Sequence, residues 1–373
     1  MLMKTKAAVV RQAGKPIEIE ELELDKPREG EVLIRYLYGG LCHSDVHIAH
    51  GDLEARLPMV LGHEGAGIIE EVGPGVTRVK PGDHVVCSFI PNCGTCRYCS
   101  SGQQSICDMG ATILDGYLPG ERFPITGPLG RYGAMCMLGT FSQYGVIHQN
   151  SCVKVDDDLP LDKAVLVGCG VPTGWGAAVN TAEVKAGQTV VVMGIGGIGI
   201  NAVQGAALAG AKNVIAIDPL PNKREKAMEL GATHAFASAD EAMQTITDLT
   251  RGQMADSAIL TPGLMTSEIV QGGFDAVGKG GVVVLTGLNK LEETTVQLSG
   301  SVMTLFRKQL RGSLFGDCNP TVDIPRILGL YQSGDLKLDE LITKTYTLEQ
   351  VNEGYDDLLN GKNVRGVLVH DHS

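Results

Sequence analysis

Basic residues are in short supply. The 31 lysines and arginines stand against 43 aspartates and glutamates, leaving a formal charge of −12 and an isoelectric point near 5.2. Nucleic acid and anionic membranes both attract basic surfaces, so the balance argues against either as a partner. Aromatic residues are scarce, 5% of the chain with one tryptophan, whereas glycine reaches 49, a composition of tight turns and close backbone approaches. The opening MLMKTKAAVVRQAGK lacks the apolar core of about 7–15 residues that marks a secretory signal, and the protein is expected in the cytoplasm. A charge-free stretch long enough to suggest a membrane span, Ala186–Ala211, covers 26 positions but contains seven glycines, Asn201 and Gln204. It divides into a strand, a turn and a helix, and reads as protein core.

At 373 residues, 43% of them hydrophobic, the chain can bury large cores, which excludes disorder as its main state. At about 100–200 residues per domain, two domains are expected. The cysteines number ten and are unevenly spread, with five between Cys87 and Cys107. That clustering reads as metal spacing in a reducing compartment rather than a disulfide framework.

The first 160 residues or so alternate short β-rich runs (VLIRYLYGGL, GAGIIEEVG, DHVVCSF) with Gly/Pro turns. Over residues 173–314 the rhythm becomes strand–helix alternation, which implies a parallel sheet with helices on both faces. The expected class is therefore α/β: a β-rich domain from 1–172 and 315–373, carrying a metal lobe at 88–110, with a doubly wound domain inserted at 173–314.

Three constellations carry chemistry. Cys93-x2-Cys96-x2-Cys99-x7-Cys107 supplies four thiolates close enough to close a tetrahedron around Zn²⁺, leaving no open position. The alternatives are unlinked thiols or an iron–sulfur site, but ferredoxin-type runs end in x3-C-P, and Asp108 follows the last cysteine here. The second constellation is dispersed: Cys42-His43-Ser44-Asp45-x-His47, His63-Glu64 and Cys169. Two cysteines and a histidine would supply a catalytic zinc with an open fourth position, and Glu64 would stand beside it. Spacing alone does not bring Cys42, His63 and Cys169 together. The third is Gly194-Ile195-Gly196-Gly197-Ile198-Gly199, after the strand TVVVM and at the start of a helix. Such glycines allow a tight turn, close approach to a pyrophosphate and close helix–strand packing. Asp218 ends the next strand, NVIAID, where an acid accepts hydrogen bonds from ribose hydroxyls and repels a 2′-phosphate, favouring NAD over NADP.

In this order, the three constellations resemble the zinc-dependent medium-chain alcohol dehydrogenases, over essentially the whole chain from GLCHSD through GHEGAG, GTFSQY, CGVPTGWG and GIGGIG to NVRGVLV. The resemblance implies a GroES-like catalytic domain and a Rossmann NAD-binding domain. It assigns Cys42, His63 and Cys169 to a catalytic zinc, and Cys93, Cys96, Cys99 and Cys107 to a structural one. It gives Ser44 the contact to the substrate oxygen, His47 a proton-relay role and Glu64 a place near the metal. Thr173, Asp218, Lys223 and Arg365 match cofactor contacts, and Phe89 and Phe141 match pocket walls. His43 stands where many relatives carry an arginine that meets the pyrophosphate. The segment ATILDGYLPGERFPITGPLGRYGAMCMLGTFSQY resembles the actinobacterial enzymes that use N,N-dimethyl-4-nitrosoaniline (NDMA) as artificial acceptor. In that group NAD is held tightly and reoxidised by a redox carrier, mycofactocin. A homodimer is implied, with a tetramer as the other state.

The expected reaction is oxidation of a small alcohol to an aldehyde or ketone, with hydride transfer to NAD and proton loss through Ser44 and His47. A rival reading is a thiol-dependent formaldehyde dehydrogenase, since Arg122 lies where such relatives hold an arginine for a thiol adduct; His47, where those relatives have tyrosine, opposes it. A non-enzymatic rival is a zinc-stabilised NAD-binding module like the reductase-like lens crystallins, in which Cys42, His63 and Cys169 would share no metal.

Overall fold

The computed structural model describes residues 3–288 and 295–373, which divide into two compact units. The first comprises Met1–Cys169, Asn319–Gln332 and Leu338–Ser373; the second comprises Gly170–Cys318 and Ser333–Lys337.

The first unit is built on two β-systems. Strands Met3–Val10, Glu18–Leu24, Ile125–Gly127, Gly130–Ala134 and Met59–Val60 close a small barrel in that order. Glu18–Leu24 (EIEELEL) alternates outward acids with buried Leu22 and Leu24, the period-two pattern of a strand with one face in a core. Leu22 and Leu24 meet Ala7, Val9, Val60, Ile125 and Tyr132 inside the barrel. A seven-stranded sheet runs Cys152–Lys154, His84–Cys87, Glu64–Val72, Glu31–Gly40, Arg365–Val369 and Ile342–Tyr346, with Tyr144–His148 also pairing Glu31–Gly40. The Arg365–Val369 strand lies antiparallel to Glu31–Gly40, so the chain's last strand sits beside the segment that leads into Cys42. Gly67 is fixed by close approach: a Cβ there would lie 2.1 Å from the Arg35 carbonyl oxygen.

The second unit is a six-stranded sheet ordered His234–Phe236, Asn213–Ile217, Thr189–Met193, Ala255–Leu260, Val277–Leu285 and Gln309–Gly312, with every pairing parallel. This is the 3-2-1-4-5-6 order of doubly wound dinucleotide-binding folds. Thr189–Met193 (TVVVM) is buried at every position, as a central strand covered on both faces must be. The helix Pro221–Glu229 begins with proline, whose fixed φ suits the first turn. Ser238 caps Ala239–Leu249 by accepting from the Glu241 amide at 3.3 Å.

The unit boundaries differ from the expected 172/173 and 314/315. Residues 170–172 and 315–318 fall in the second unit, where Cys318 Sγ approaches the Pro172 carbonyl at 3.5 Å and Asp317 Oδ2 accepts from Thr181 Oγ1 at 2.7 Å. Ser333–Lys337, expected with the β-rich domain, also joins the second unit. Gln204 bonds Lys337 twice there, accepting from its amide at 2.8 Å and donating to its carbonyl at 3.1 Å. Among the described residues no helix is long and apolar enough to cross a membrane.

Candidate active site

The first unit holds two metal-competent clusters. Cys93, Cys96, Cys99 and Cys107 place all four sulfurs within 4.8 Å of one another, with Cys93–Cys99 at 3.9 Å and Cys96–Cys107 at 4.0 Å. Four sulfurs bound at about 2.3 Å around one tetrahedral ion stand about 3.8 Å apart, so the cluster fits zinc closely. Local backbone builds it. Cys96 caps the one-turn helix Arg97–Ser100, and its sulfur accepts from the Cys99 amide at 3.4 Å. The Cys96 amide donates to Cys93 Sγ at 3.3 Å, and the Cys93 amide to Cys107 Sγ at 3.5 Å. Burial pulls the Cys93 thiol up, but hydrogen bonds from the Thr95 and Cys96 amides bring it down to about 6, the direction that favours a thiolate ligand.

The second cluster assembles from three distant segments. Cys42 caps the helix His43–His50, His63 immediately precedes the strand Glu64–Val72, and Cys169 follows the turn Val165–Gly168. The ligand atoms of Cys42, His63, Glu64 and Cys169 lie within 4.8 Å of one another, and all four residues are buried. His63 Nδ1 meets Asp45 Oδ1 at 3.2 Å, while His63 Nε2 is buried with no hydrogen-bond partner. A histidine whose one ring nitrogen is held by a carboxylate and whose other faces two thiols is the arrangement of a zinc ligand. The Cys42 thiol is held well below its usual range, chiefly by the hydrogen bond from Cys169, whose own thiol rises correspondingly. Two sulfurs and one imidazole nitrogen leave a tetrahedral metal one open position.

Glu64 is fully buried, and its Oε2 accepts from the Arg365 guanidinium. Burial raises the Glu64 carboxyl to about 7 against the pull of Arg365. Arg365, expected as a cofactor contact, has a side chain 3% exposed and pairs one guanidinium nitrogen with Glu64, since a buried carboxylate needs a buried cation. The Phe141 ring, expected as a pocket wall, is wholly buried, lies beside Gly39 and Gly62 and tilts against Tyr355 at 6.3 Å. Phe89 instead sets its ring edge-on to His63 at 5.8 Å. Ser44 Oγ lies 3.7 Å from Cys42 Sγ, and His47 Nδ1 meets Asp52 Oδ2 at 3.1 Å. His43, half-buried, opens the same helix. The Arg122 guanidinium is 3.2 Å from Glu31 and donates to the Lys26 carbonyl at 2.9 Å.

In the second unit, Gly194 has φ 89° and follows the central strand, and a Cβ on Gly199 would sit 1.9 Å from the Gly194 carbonyl oxygen. A Cβ on Gly196 would meet nothing within 4 Å, so the loop presents bare backbone there, as a phosphate cradle requires. Ile195 donates its amide to Asp218 Oδ2 at 2.7 Å, Leu220 donates to Oδ1 at 2.9 Å, and Lys223 Nζ lies 4.0 Å from Oδ2. Gly197 accepts from Asn201 at 2.8 Å, and Ile198 precedes the helix Gly199–Leu208. Thr173 is buried in the same unit. These residues fit a dinucleotide: a glycine loop at a helix N-terminus with a carboxylate at the end of the next strand.

Two contributors escaped the sequence reading. Asp45, quoted within the Cys42 segment but given no role, accepts from His63, from the Gly62 amide at 3.1 Å and from the Cys42 amide at 3.3 Å. Its only signal is its third place in the helix, where an acid completes a capping box. Thr261 donates to the Gly194 carbonyl and pins the glycine loop; nothing in its sequence neighbourhood marks it.

Comparison with known proteins gives concordant results. Residues 28–157 match the family described as "Alcohol dehydrogenase GroES-like domain", and residues 197–333 match "Zinc-binding dehydrogenase". The chain is 66% identical over 368 residues to an NDMA-dependent alcohol dehydrogenase of Amycolatopsis methanolica, covering 99% of both. It is 59% identical to a putative alcohol dehydrogenase D of Mycobacterium tuberculosis, covering 99% of this chain and 100% of that one. Among solved structures, benzyl alcohol dehydrogenase from Acinetobacter calcoaceticus superposes with a TM-score of 0.92 at 30% identity, over 99% of this chain and 100% of that one.

Proposed function

This chain belongs to the zinc-binding alcohol dehydrogenases with a GroES-like domain, and from that premise we propose that it oxidises small alcohols at a zinc held by Cys42, His63 and Cys169, using tightly held NAD. The observation that carries the reading is the convergence of those three side chains around a buried, unpartnered His63 Nε2. The first unit is then the catalytic domain and the second the nucleotide-binding domain. Each chain holds a further structural zinc at Cys93, Cys96, Cys99 and Cys107.

When bound, zinc supplies Lewis acidity at the alcohol oxygen and NAD⁺ accepts the hydride. Asp45 keeps the His63 proton on Nδ1, so that Nε2 presents its lone pair to the ligand position. Ser44 takes the alcohol's proton and passes it toward His47, whose ring Asp52 orients. Asp218 turns its carboxylate to the ribose hydroxyls and rejects a 2′-phosphate, and Gly196 lets the pyrophosphate reach the backbone at the start of the Gly199–Leu208 helix. Glu64 and Arg365 neutralise each other beside the thiolates, and Phe89 bounds the substrate's side of the site.

The 66% identity to an NDMA-dependent enzyme supports the reading that NAD stays bound and passes its electrons to a redox carrier such as mycofactocin. The acidic composition is consistent with a cytoplasmic enzyme without nucleic-acid or membrane partners. A homodimer is supported by the edge strand Gln309–Gly312, near which Leu305 is 77% exposed and Phe306 and Leu314 are also exposed. The test is to purify the protein without added cofactor, denature it and quantify the nucleotide released. Near-stoichiometric NAD, with alcohol oxidation fast on NDMA and negligible on free NAD, is expected. An apo preparation that turns over briskly with added NAD overturns the tight-binding part.

A further inference from the structure

Past its last strand, Gln309–Gly312, the second unit makes a strained turn. Phe315, Gly316 and Asp317 have φ of 56°, 64° and 52°, three left-handed residues in a row, two of them not glycine. Such backbone costs free energy and persists only where surrounding contacts impose it. Asp317 Oδ2 accepts from Thr181 Oγ1 at 2.7 Å, and Thr181 Oγ1 lies 2.7 Å from Ser313 Oγ. A hydroxyl carries one proton, so Thr181 gives it to the carboxylate and accepts from Ser313. Asn180 Nδ2 donates to the Gly316 carbonyl at 3.1 Å. The turn lies directly on the helix Gly170–Gly176: a Cβ on Gly316 would stand 2.3 Å from the Pro172 carbonyl oxygen and 2.9 Å from that of Thr173. The same helix lies directly on the glycine loop, since a Cβ on Gly174 would stand 2.1 Å from the Ile198 carbonyl oxygen. Backbone meets backbone at both faces, so a shift of the turn passes to the loop with no side chain between them to absorb it.

We propose that Asp317 is a positioning residue for the dinucleotide: its bond to Thr181 latches the strained turn, the turn holds the helix Gly170–Gly176 against the glycine loop, and cofactor release is slowed. This rests on the NAD reading of that loop. Nothing in the local sequence, SLFGDCNP, marks the role, because Thr181 lies 136 positions away along the chain. The backbone at Asp317 by itself favours glycine, which alone adopts positive φ without steric cost. Asp317→Gly therefore relieves the backbone and removes the acceptor, and because Asp317 is exposed while Thr181 is buried, it opens no cavity. That separates a latch from a residue that merely forms a turn.

The test follows NADH fluorescence while excess ADP-ribose displaces the reduced cofactor from the loaded enzyme. Asp317→Gly should speed release about 10-fold, the lower end of what a hydrogen bond to a charged group contributes. Asp317→Asn keeps an acceptor oxygen and tolerates left-handed backbone, so it should release at about the native rate. Thr181→Val should act as Asp317→Gly does, and the double variant should be no faster than either single one. A native rate in Asp317→Gly, equal acceleration in Asp317→Asn, or additive effects in the double variant overturns the proposal. If the native enzyme releases NADH faster than it oxidises alcohol with free NAD, the tight-binding part of the proposed function fails, and the ratio of variant to native rates still decides the latch. A native protein that binds no NADH refutes the dinucleotide reading and the proposal with it.

Discussion

The Glu64–Arg365 pair offers a prediction whose size follows from burial. Glu64 is 0% and Arg365 3% exposed, and the guanidinium bonds the carboxylate directly. Replacing Arg365 with methionine keeps most of the apolar stem and strands the carboxylate among the thiols of Cys42 and Cys169. Removing one member of a buried pair costs about 3–5 kcal/mol, because the charge left behind has neither water nor a partner. At about 2–4 °C per kcal/mol for a domain of this size, Tm should fall by about 6–20 °C. Adding Glu64→Gln should restore most of the loss, since replacing both partners removes the uncompensated charge. Thermal and denaturant unfolding of the two single variants and the double variant measure this, with NAD content measured alongside. Unchanged stability in Arg365→Met together with loss of bound NAD would refute the reasoning and return Arg365 to the cofactor phosphates.

Three further outcomes are expected. Cys96→Ser should lower soluble yield and Tm and reduce zinc per chain, because three ligands cannot close the lobe; native Tm and zinc content would contradict a structural zinc there. Asp218→Ala removes the acceptor that also holds the Ile195 and Leu220 amides, so calorimetry should show NAD weakened by about 1.5–3 kcal/mol and NADP relatively favoured; an unchanged preference would exclude this role. Ser44→Ala should nearly abolish turnover with both zincs retained, and His47→Gln should slow it by about 10²–10⁴-fold. A His47→Gln pH–rate profile superimposable on the native one would leave His47 as a bystander.

What could be read from the chain follows the range of the physics involved. The four-cysteine lobe spans 15 positions from Cys93 to Cys107, so spacing alone constrains it (107 − 93 + 1 = 15). The glycine loop is equally local: positive φ at Gly194 and the collision at Gly199 are demands of a strand–turn–helix that residue types announce directly. Cys42, His63 and Cys169 depend on sheet and turn packing that no spacing encodes, and there the family resemblance, not periodicity, named the residues. Arg365 and Phe141 show what that transfer does not convey. Both positions match the family's pattern, yet the partners that bury them, Glu64 for one and Gly39, Gly62 and Tyr355 for the other, come from elsewhere in the chain. Asp45 and Thr261 were missed because a helix-capping acid and a loop threonine are ordinary until the groups they hold are in view.

The central claim is that Cys42, His63 and Cys169 hold a zinc distinct from that of the four-cysteine lobe. The most direct measurement is zinc per chain, by elemental mass spectrometry, in the native protein and in His63→Ala. The account predicts two zincs in the native protein, one for each cluster, and one in the variant with the four-cysteine site still filled. A native protein with a single zinc that survives His63→Ala would contradict it.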